Sequence, residues 1–323
     1  MSNILVTGGA GFIGSYIVKV LIQQGHNAII LDSFSQYVSP FISNYRQYLN
    51  ERFDGIDKNR LVIERGDTRN GAPTRRMILK HKPDRIIHMA ALPIATISDY
   101  HAEEAVTTIL MGTVNLLEII RDVDFIDRFV YASSSMVYGD FEYSPADEEH
   151  PLKPKGIYGG AKYAGEIMVK TYGRRFGINY TIVRPSAVYG PTDSNRRVSQ
   201  IFVENAIKGE PLGLSGGGAL MLDFTYVKDA ANGIVLATLS DKGENEVFNI
   251  TRGEGRSLKD FADILGGLVP GVKTVEIPGD DIQPKRGALD ISKAKEKLGY
   301  QPEYSLEKGI EEYVNFLKSR IKN

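Results

Sequence analysis

Short apolar runs alternate with longer amphipathic ones through the first half of the chain. Ile4–Thr7, Ala28–Asp32, Leu61–Glu64, Arg85–His88, Arg128–Ala132 and Tyr180–Arg184 have the length and β-branched content of strands. Between most of them, apolar residues return at helical spacing, over Phe12–Gln24, Pro73–His81, Glu103–Arg121 and Tyr158–Phe176. Strand alternating with helix predicts an α/β fold: a doubly wound parallel sheet with helices on both faces. Such a sheet takes ligands beyond the carboxyl ends of its strands.

The rhythm changes after Arg184. "SGGGAL" (Ser215–Leu220) reads as a loop, Asp223–Val227 as a short strand and Lys228–Leu239 as a helix. Smaller elements follow at Val247–Ile250, Ser257–Leu265, Thr274–Ile277, Ser292–Leu298 and Ser305–Lys318. The division expected is residues 1–184 as a dinucleotide-binding domain, to which 223–250 returns, and residues 185–323 as mainly a smaller α/β substrate-binding lobe. The connection from Ser33 to Arg60 is long and rich in aromatics, and predicts a helix over Pro40–Asn50 of no assigned purpose.

Composition narrows the chemistry. Of 323 residues, 42% are hydrophobic, and 39 basic residues nearly balance 40 acidic ones. A net charge of −1 supplies no field for nucleic acid or an anionic membrane. No stretch reaches membrane-spanning length and no leader is recognisable, so a soluble cytoplasmic protein is expected. The absence of cysteine excludes disulfides, thiolate nucleophiles and cysteine-ligated zinc. The five histidines lack metal-site spacing, and no metal is expected.

Glycine carries the first functional signal. "ILVTGGAGFIGS" (Ile4–Ser15) places Gly8, Gly11 and Gly14 between a strand and a helix. One glycine permits the tight turn, one lets a pyrophosphate approach the backbone, and one lets helix and strand pack closely. The helix start then offers free N–H groups, those of Phe12 and Ile13 among them. Asp32 ends the second strand, placed to accept from the ribose hydroxyls of an adenosine. An anion there repels a 2′-phosphate, which favours NAD over NADP.

The second signal is "YASSSMVYGD" (Tyr131–Asp140) followed by "YGGAK" (Tyr158–Lys162). A tyrosine and a lysine four apart share one helix face. A phenol of pKa about 10 needs a shift of ~3 units, or ~4 kcal/mol, to act as a base near neutrality. The Lys162 ammonium and a cationic nicotinamide are expected to supply it. Gly159 and Gly160 weaken the helix and suggest a ligand lying against that turn.

These motifs, with "RGDTRN", "IIHMAA", "RPSAVYGP", "LDFTYVKDAA" and "DISKAKEKLGYQP", resemble in order and over nearly the whole chain the extended short-chain dehydrogenase/reductases of the NAD-dependent nucleotide-sugar epimerase/dehydratase family, those like UDP-glucose 4-epimerase in particular. The resemblance implies a Rossmann-type fold and further roles. Asp67 and the Thr68 backbone would hold adenine, Ala90 and Ala91 would line the pyrophosphate and ribose, and Pro185 and Ser186 would border the nicotinamide. Tyr158 would be the base, Lys162 its partner and a ribose ligand, and Ser134 the serine of the relay. His88 is either a packed structural histidine or a minor cofactor contact.

The family's dehydratases carry an Asp–Glu pair after the catalytic residue, and its decarboxylases a glutamate before "VYG". Ser135 and Met136 stand there in this chain. That leaves 4-epimerisation of a UDP-hexose or UDP-hexuronate through a transient 4-keto sugar as the leading expectation. A nucleotide-sugar dehydrogenase or reductase, a 4,6-dehydratase or decarboxylase, and a non-catalytic NAD-binding regulator are the alternatives. Leu222, Ala187 and Ile109 depart from the family's usual arginine and asparagines. Arg197 and Arg286 are the cations expected at the substrate diphosphate, with Ser135 near the sugar. The resemblance also implies a homodimer through Glu103–Arg121 and Tyr158–Phe176.

Overall fold

The computed structural model describes residues 1–39, 43–279 and 283–321. Seven parallel strands form the main sheet. Six follow the sequence pattern: β1 (Asn3–Thr7), β2 (Asn27–Asp32), β3 (Leu61–Arg65), β4 (Arg85–His88), β5 (Arg128–Ala132) and β6 (Tyr180–Pro185). The seventh is Glu246–Ile250, beside β6, and the order across the sheet runs from it through β6, β5, β4 and β1 to β2 and β3. Chain direction across the sheet therefore reverses between β4 and β1, where Thr7 stands in register with His88. A crevice opens at such a reversal because the connections leave it on opposite faces.

The two faces of the sheet bury separate apolar clusters. Ile4, Val6, Ile17, Leu21, Ile30, Ile234 and Phe248 fill one, under helices Phe12–Gln23 and Val227–Leu239. Leu5, Ile86, Leu116, Leu117, Phe129, Val169 and Ile182 fill the other, under helices Gly112–Ile120 and Ile157–Phe176. Residues 227–250 thus pack as part of the sheet layer. A third cluster is centred on Tyr189, Phe202, Leu212, Leu222, Phe224, Phe261, Ile310 and Tyr313. Leu222, where an arginine was the family habit, is buried in it and offers no cation.

Several elements differ from the pattern. The expected helix Glu103–Arg121 is helical but widens to a π turn over Thr107–Met111. Gly112 follows at once, and a side chain there would strike the Thr68 hydroxyl, 2.6 Å from its Cβ. Helix Val198–Lys208 and strand Leu212–Ser215 were not anticipated, although the buried positions Phe202, Val203 and Ala206 carry helical spacing. In the long connection the helix is Tyr45–Arg52; residues 40–42 of the expected Pro40–Asn50 lie outside the described residues.

Candidate active site

The turn after β1 shows what each glycine permits. Gly8 has φ +68°, and a Cβ on it would lie 2.9 Å from the Ala90 nitrogen at the end of β4. A Cβ on Gly14 would overlap the Gly8 carbonyl and lie 2.8 Å from the Gly9 Cα, so the helix rests directly on the turn. That helix begins at Phe12 with no side-chain cap, which leaves its first N–H groups pointing into the crevice end of the sheet. Asp32 ties the same turn to β2. Its carboxylate accepts from the Ala10 N–H at 3.0 Å and the Phe34 N–H at 2.8 Å. Burial raises its pKa against these bonds.

His88 closes the turn from below. The Thr113 hydroxyl donates to the Ile109 carbonyl at 2.6 Å, so it can only accept from His88 Nε2 at 3.1 Å. Nδ1 then accepts from the Thr7 hydroxyl at 2.7 Å, and Thr7 accepts from the Ala90 N–H at 3.2 Å. Burial, with Lys162 nearby, pushes the His88 pKa down to about 3. A neutral imidazole held at both nitrogens fits the structural role and leaves no ring nitrogen for a ligand.

The crevice runs from Asp67 and Thr68 past Gly8, Gly11, Phe12, Ile13 and Asp32, then Ala90 and Ala91, to Pro185, Tyr158, Lys162 and Arg197. Asp67 is engaged by Arg69, whose Nη2 lies 2.7 Å from it, while Thr68 is buried. Ser134, Ser135 and Arg286 stand behind the reacting end. Ser134 hydrogen-bonds Tyr158 and accepts from the Met136 N–H at 3.2 Å. Ser135 donates to Ser186 Oγ at 3.0 Å and accepts from Arg286 Nη1 at 3.3 Å. Among the described residues Arg286 has no carboxylate partner and its Nε is unpaired; burial pulls its pKa down to about 10.

The electrostatics at Tyr158 differ from the expectation. Burial dominates and raises the phenol pKa; Arg197 and the Ser134 hydrogen bond oppose it. Lys162, the cation expected to lower the phenol pKa, lies over the ring. Its Nζ lies 6.0 Å from the centre of the Tyr158 ring and donates to the Ala132 carbonyl at 2.6 Å. Burial lowers the Lys162 pKa to about 7, with Glu166 pulling it back up. Arg197, expected at the substrate diphosphate, is already paired with the buried Asp193 at 3.1 Å and donates to the Pro93 carbonyl at 3.2 Å. Gly159 also has a protein explanation. A Cβ there would sit 2.7 Å from the Met136 carbonyl, so it seats the helix on the Ser134 turn, whereas Gly160 faces open space.

Two residues that hold this helix were missed. Glu166, one turn beyond Lys162, accepts from the Ser133 hydroxyl at 2.5 Å and from Arg184 Nε and Nη2 at 2.9 and 2.7 Å. Both members of the pair are about 1% exposed. Arg184 also donates to the Tyr138 hydroxyl at 2.9 Å, which donates to Asn249 at 2.7 Å. The available signal was a lone arginine inside the apolar strand "TIVRP".

Glycines that a Cβ would crowd, uncapped helix N–H groups and an acid at the end of β2 fit a dinucleotide laid across the switch point. With a Tyr–Lys helix facing that crevice, the molecule is a Rossmann-type enzyme of the extended short-chain dehydrogenase/reductase class. The chain belongs to the NAD dependent epimerase/dehydratase family, whose profile matches residues 4–251. NAD is that family's cofactor. A Methanocaldococcus jannaschii protein provisionally named a UDP-glucose 4-epimerase is 34% identical over 98% of both chains. Arabidopsis thaliana UDP-glucuronic acid decarboxylase 1 is 30% identical, over 99% of this chain and 71% of its own. The crystal structure of Thermotoga maritima UDP-glucose 4-epimerase with UDP-glucose superposes with a TM-score of 0.89 at 30% identity, over 99% of both chains. That of Bacillus cereus UDP-glucuronic acid 4-epimerase with UDP-glucuronic acid and NAD gives 0.89 at 28%, over 98% of this chain and 99% of the other.

Proposed function

We propose that this protein is a cytoplasmic nucleotide-sugar 4-epimerase, taking a UDP-hexose or UDP-hexuronate through a transient 4-keto sugar. One observation carries the choice among the family's reactions. Among the described residues, the carboxylates lining the crevice are Asp32 and Asp67, at its adenosine end, and Glu166, one turn beyond Lys162, is locked by Arg184. Elimination of water or loss of a carboxyl group needs a further acid or base. Epimerisation needs one proton acceptor that also returns the proton.

NAD, when bound, would supply the hydride acceptor, a positive charge and the hydride on return. Tyr158 takes the proton of the C4 hydroxyl as the C4–H bond breaks, and Ser134 hydrogen-bonds the oxygen that becomes a carbonyl. The keto sugar turns in the pocket, C4 regains hydride on its other face, and Tyr158 gives the proton back. No net oxidation results. Lys162 holds the nicotinamide ribose, Gly8, Gly11, Phe12 and Ile13 the pyrophosphate, Asp32 the adenosine ribose, and Asp67 with Thr68 the adenine. Ala90, Ala91 and Pro185 wall the cofactor. Arg286, which has no carboxylate partner among the described residues, takes the substrate diphosphate, while Arg197 acts on Tyr158 and Ser135 faces the sugar. Val106 and Met111, and Ile167 and Phe176, are exposed apolar residues on the two helices expected to pair, and support a homodimer.

The test is incubation with catalytic NAD+ and UDP-glucose or UDP-glucuronate deuterated at C4. The reading requires an equilibrium mixture of C4 epimers with deuterium kept at C4, and at least a hundredfold loss in Y158F. Accumulating NADH, or a 4-keto-6-deoxy or pentose product, would reject it.

A further inference from the structure

Arg52 and Arg184 are the two largest fully buried side chains among the described residues. Arg184 is neutralised by Glu166. Arg52, the last residue of helix Tyr45–Arg52, has no carboxylate at ion-pair distance among the described residues. Asp193 and Asp32 act on it only through space, and each is otherwise engaged, by Arg197 and by two backbone N–H groups. The negative end of its own short helix offsets part of the charge. A buried cation left so is costly unless an anion joins it.

Its bonds show where that anion belongs. Nη1 donates to the Ala10 carbonyl in the glycine turn at 2.9 Å. Nη2 donates to the Thr192 carbonyl at 2.6 Å and the Ser194 hydroxyl at 3.1 Å, while Nε is buried and unpaired. The guanidinium therefore spans the two lips of the crevice. The second lip is held in an uncommon conformation, with Thr192 at φ +68° and Arg196 at φ +56°. From that lip Arg197 crosses to the Pro93 carbonyl, lies 5.9 Å from the centre of the Phe12 ring and acts on Tyr158.

We propose that Arg52 is the buried counter-cation of the dinucleotide pyrophosphate and that it transmits cofactor occupancy to the Gly190–Arg197 loop. The pyrophosphate is the anionic part of NAD, and the glycine turn that receives it is the turn Arg52 grips. The inference rests on the crevice being the NAD site. It gives the long Ser33–Arg60 connection a purpose.

Calorimetric titration of cofactor-free wild type, R52K and R52Q with NAD+, ADP and adenosine tests it. Arg52→Gln should weaken NAD+ and ADP about tenfold or more and Arg52→Lys about threefold, with adenosine changed less than about twofold in both. In hydrogen exchange, NAD+ should protect residues 190–197 in wild type and markedly less in R52Q. Equal losses for all three ligands would mean that Arg52 merely supports the fold and would overturn the proposal. So would unchanged ADP binding, or undiminished loop protection in R52Q. Should R52Q not fold, R52K decides by the same contrast between ADP and adenosine. A wild type that binds none of the three would overturn the cofactor site itself.

Discussion

At the residue scale, Tyr158 and Lys162 are legible from spacing, but their ionisation is set by burial. A lysine with its pKa lowered to about 7 from 10.5 holds its proton less firmly folded than unfolded. Between those pH values the unfolded chain binds more protons, so stability rises with pH across that window, by up to about 1.4 kcal/mol per pH unit. Lys162→Met should flatten this rise while abolishing turnover. Urea unfolding of both proteins at pH 7 and 9.5 checks it, and parallel pH dependences would contradict it. Glu166→Gln should cost about 3–5 kcal/mol, because it leaves Arg184 buried without its partner. The double variant with Arg184→Met should recover part of that loss in the same measurement.

At the element scale, the catalytic helix Ile157–Phe176 sits where small residues let it. A Cβ on Gly165 would overlap the Tyr131 hydroxyl, which donates to the Lys162 carbonyl at 3.2 Å. Gly165→Ala should push the helix off β5 and move Lys162 from the crevice. The expected result is a fall in kcat of about tenfold or more with a folded protein, since small misplacements of reacting groups are costly. Steady-state kinetics with circular dichroism distinguishes this from unfolding. The strands and helices of the first half were readable because one buried face imposes a clear period. Helix Val198–Lys208 escaped because its buried face includes the polar Ser199, Gln200 and Glu204, which breaks the apolar period, and the π turn at Thr107–Met111 has no periodic signature.

At the scale of the whole molecule, the crevice joins the ends of β1, β2, β4, β5 and β6 to the loop before helix Val198–Lys208. A ligand bound across so many elements should stabilise all of them together. Removing NAD should lower the melting temperature of the purified protein, and adding it back at a hundredfold excess over Kd should restore about 2.7 kcal/mol. A differential scan of both forms measures this, and identical curves would contradict the site. By itself the sequence determined the strand–helix alternation, the glycine turn, Asp32 and the Tyr158–Lys162 pair, because local periodicity and fixed spacing carry them. Tertiary structure alone decided that Arg197 acts on Tyr158, that Glu166 is spent on Arg184, and that Arg52 reaches the glycine turn. Those partners lie from 18 to 42 residues apart, as with Glu166–Arg184 and Arg52–Ala10. Charge and burial at such range depend on which segments the fold brings together, and no local pattern records that.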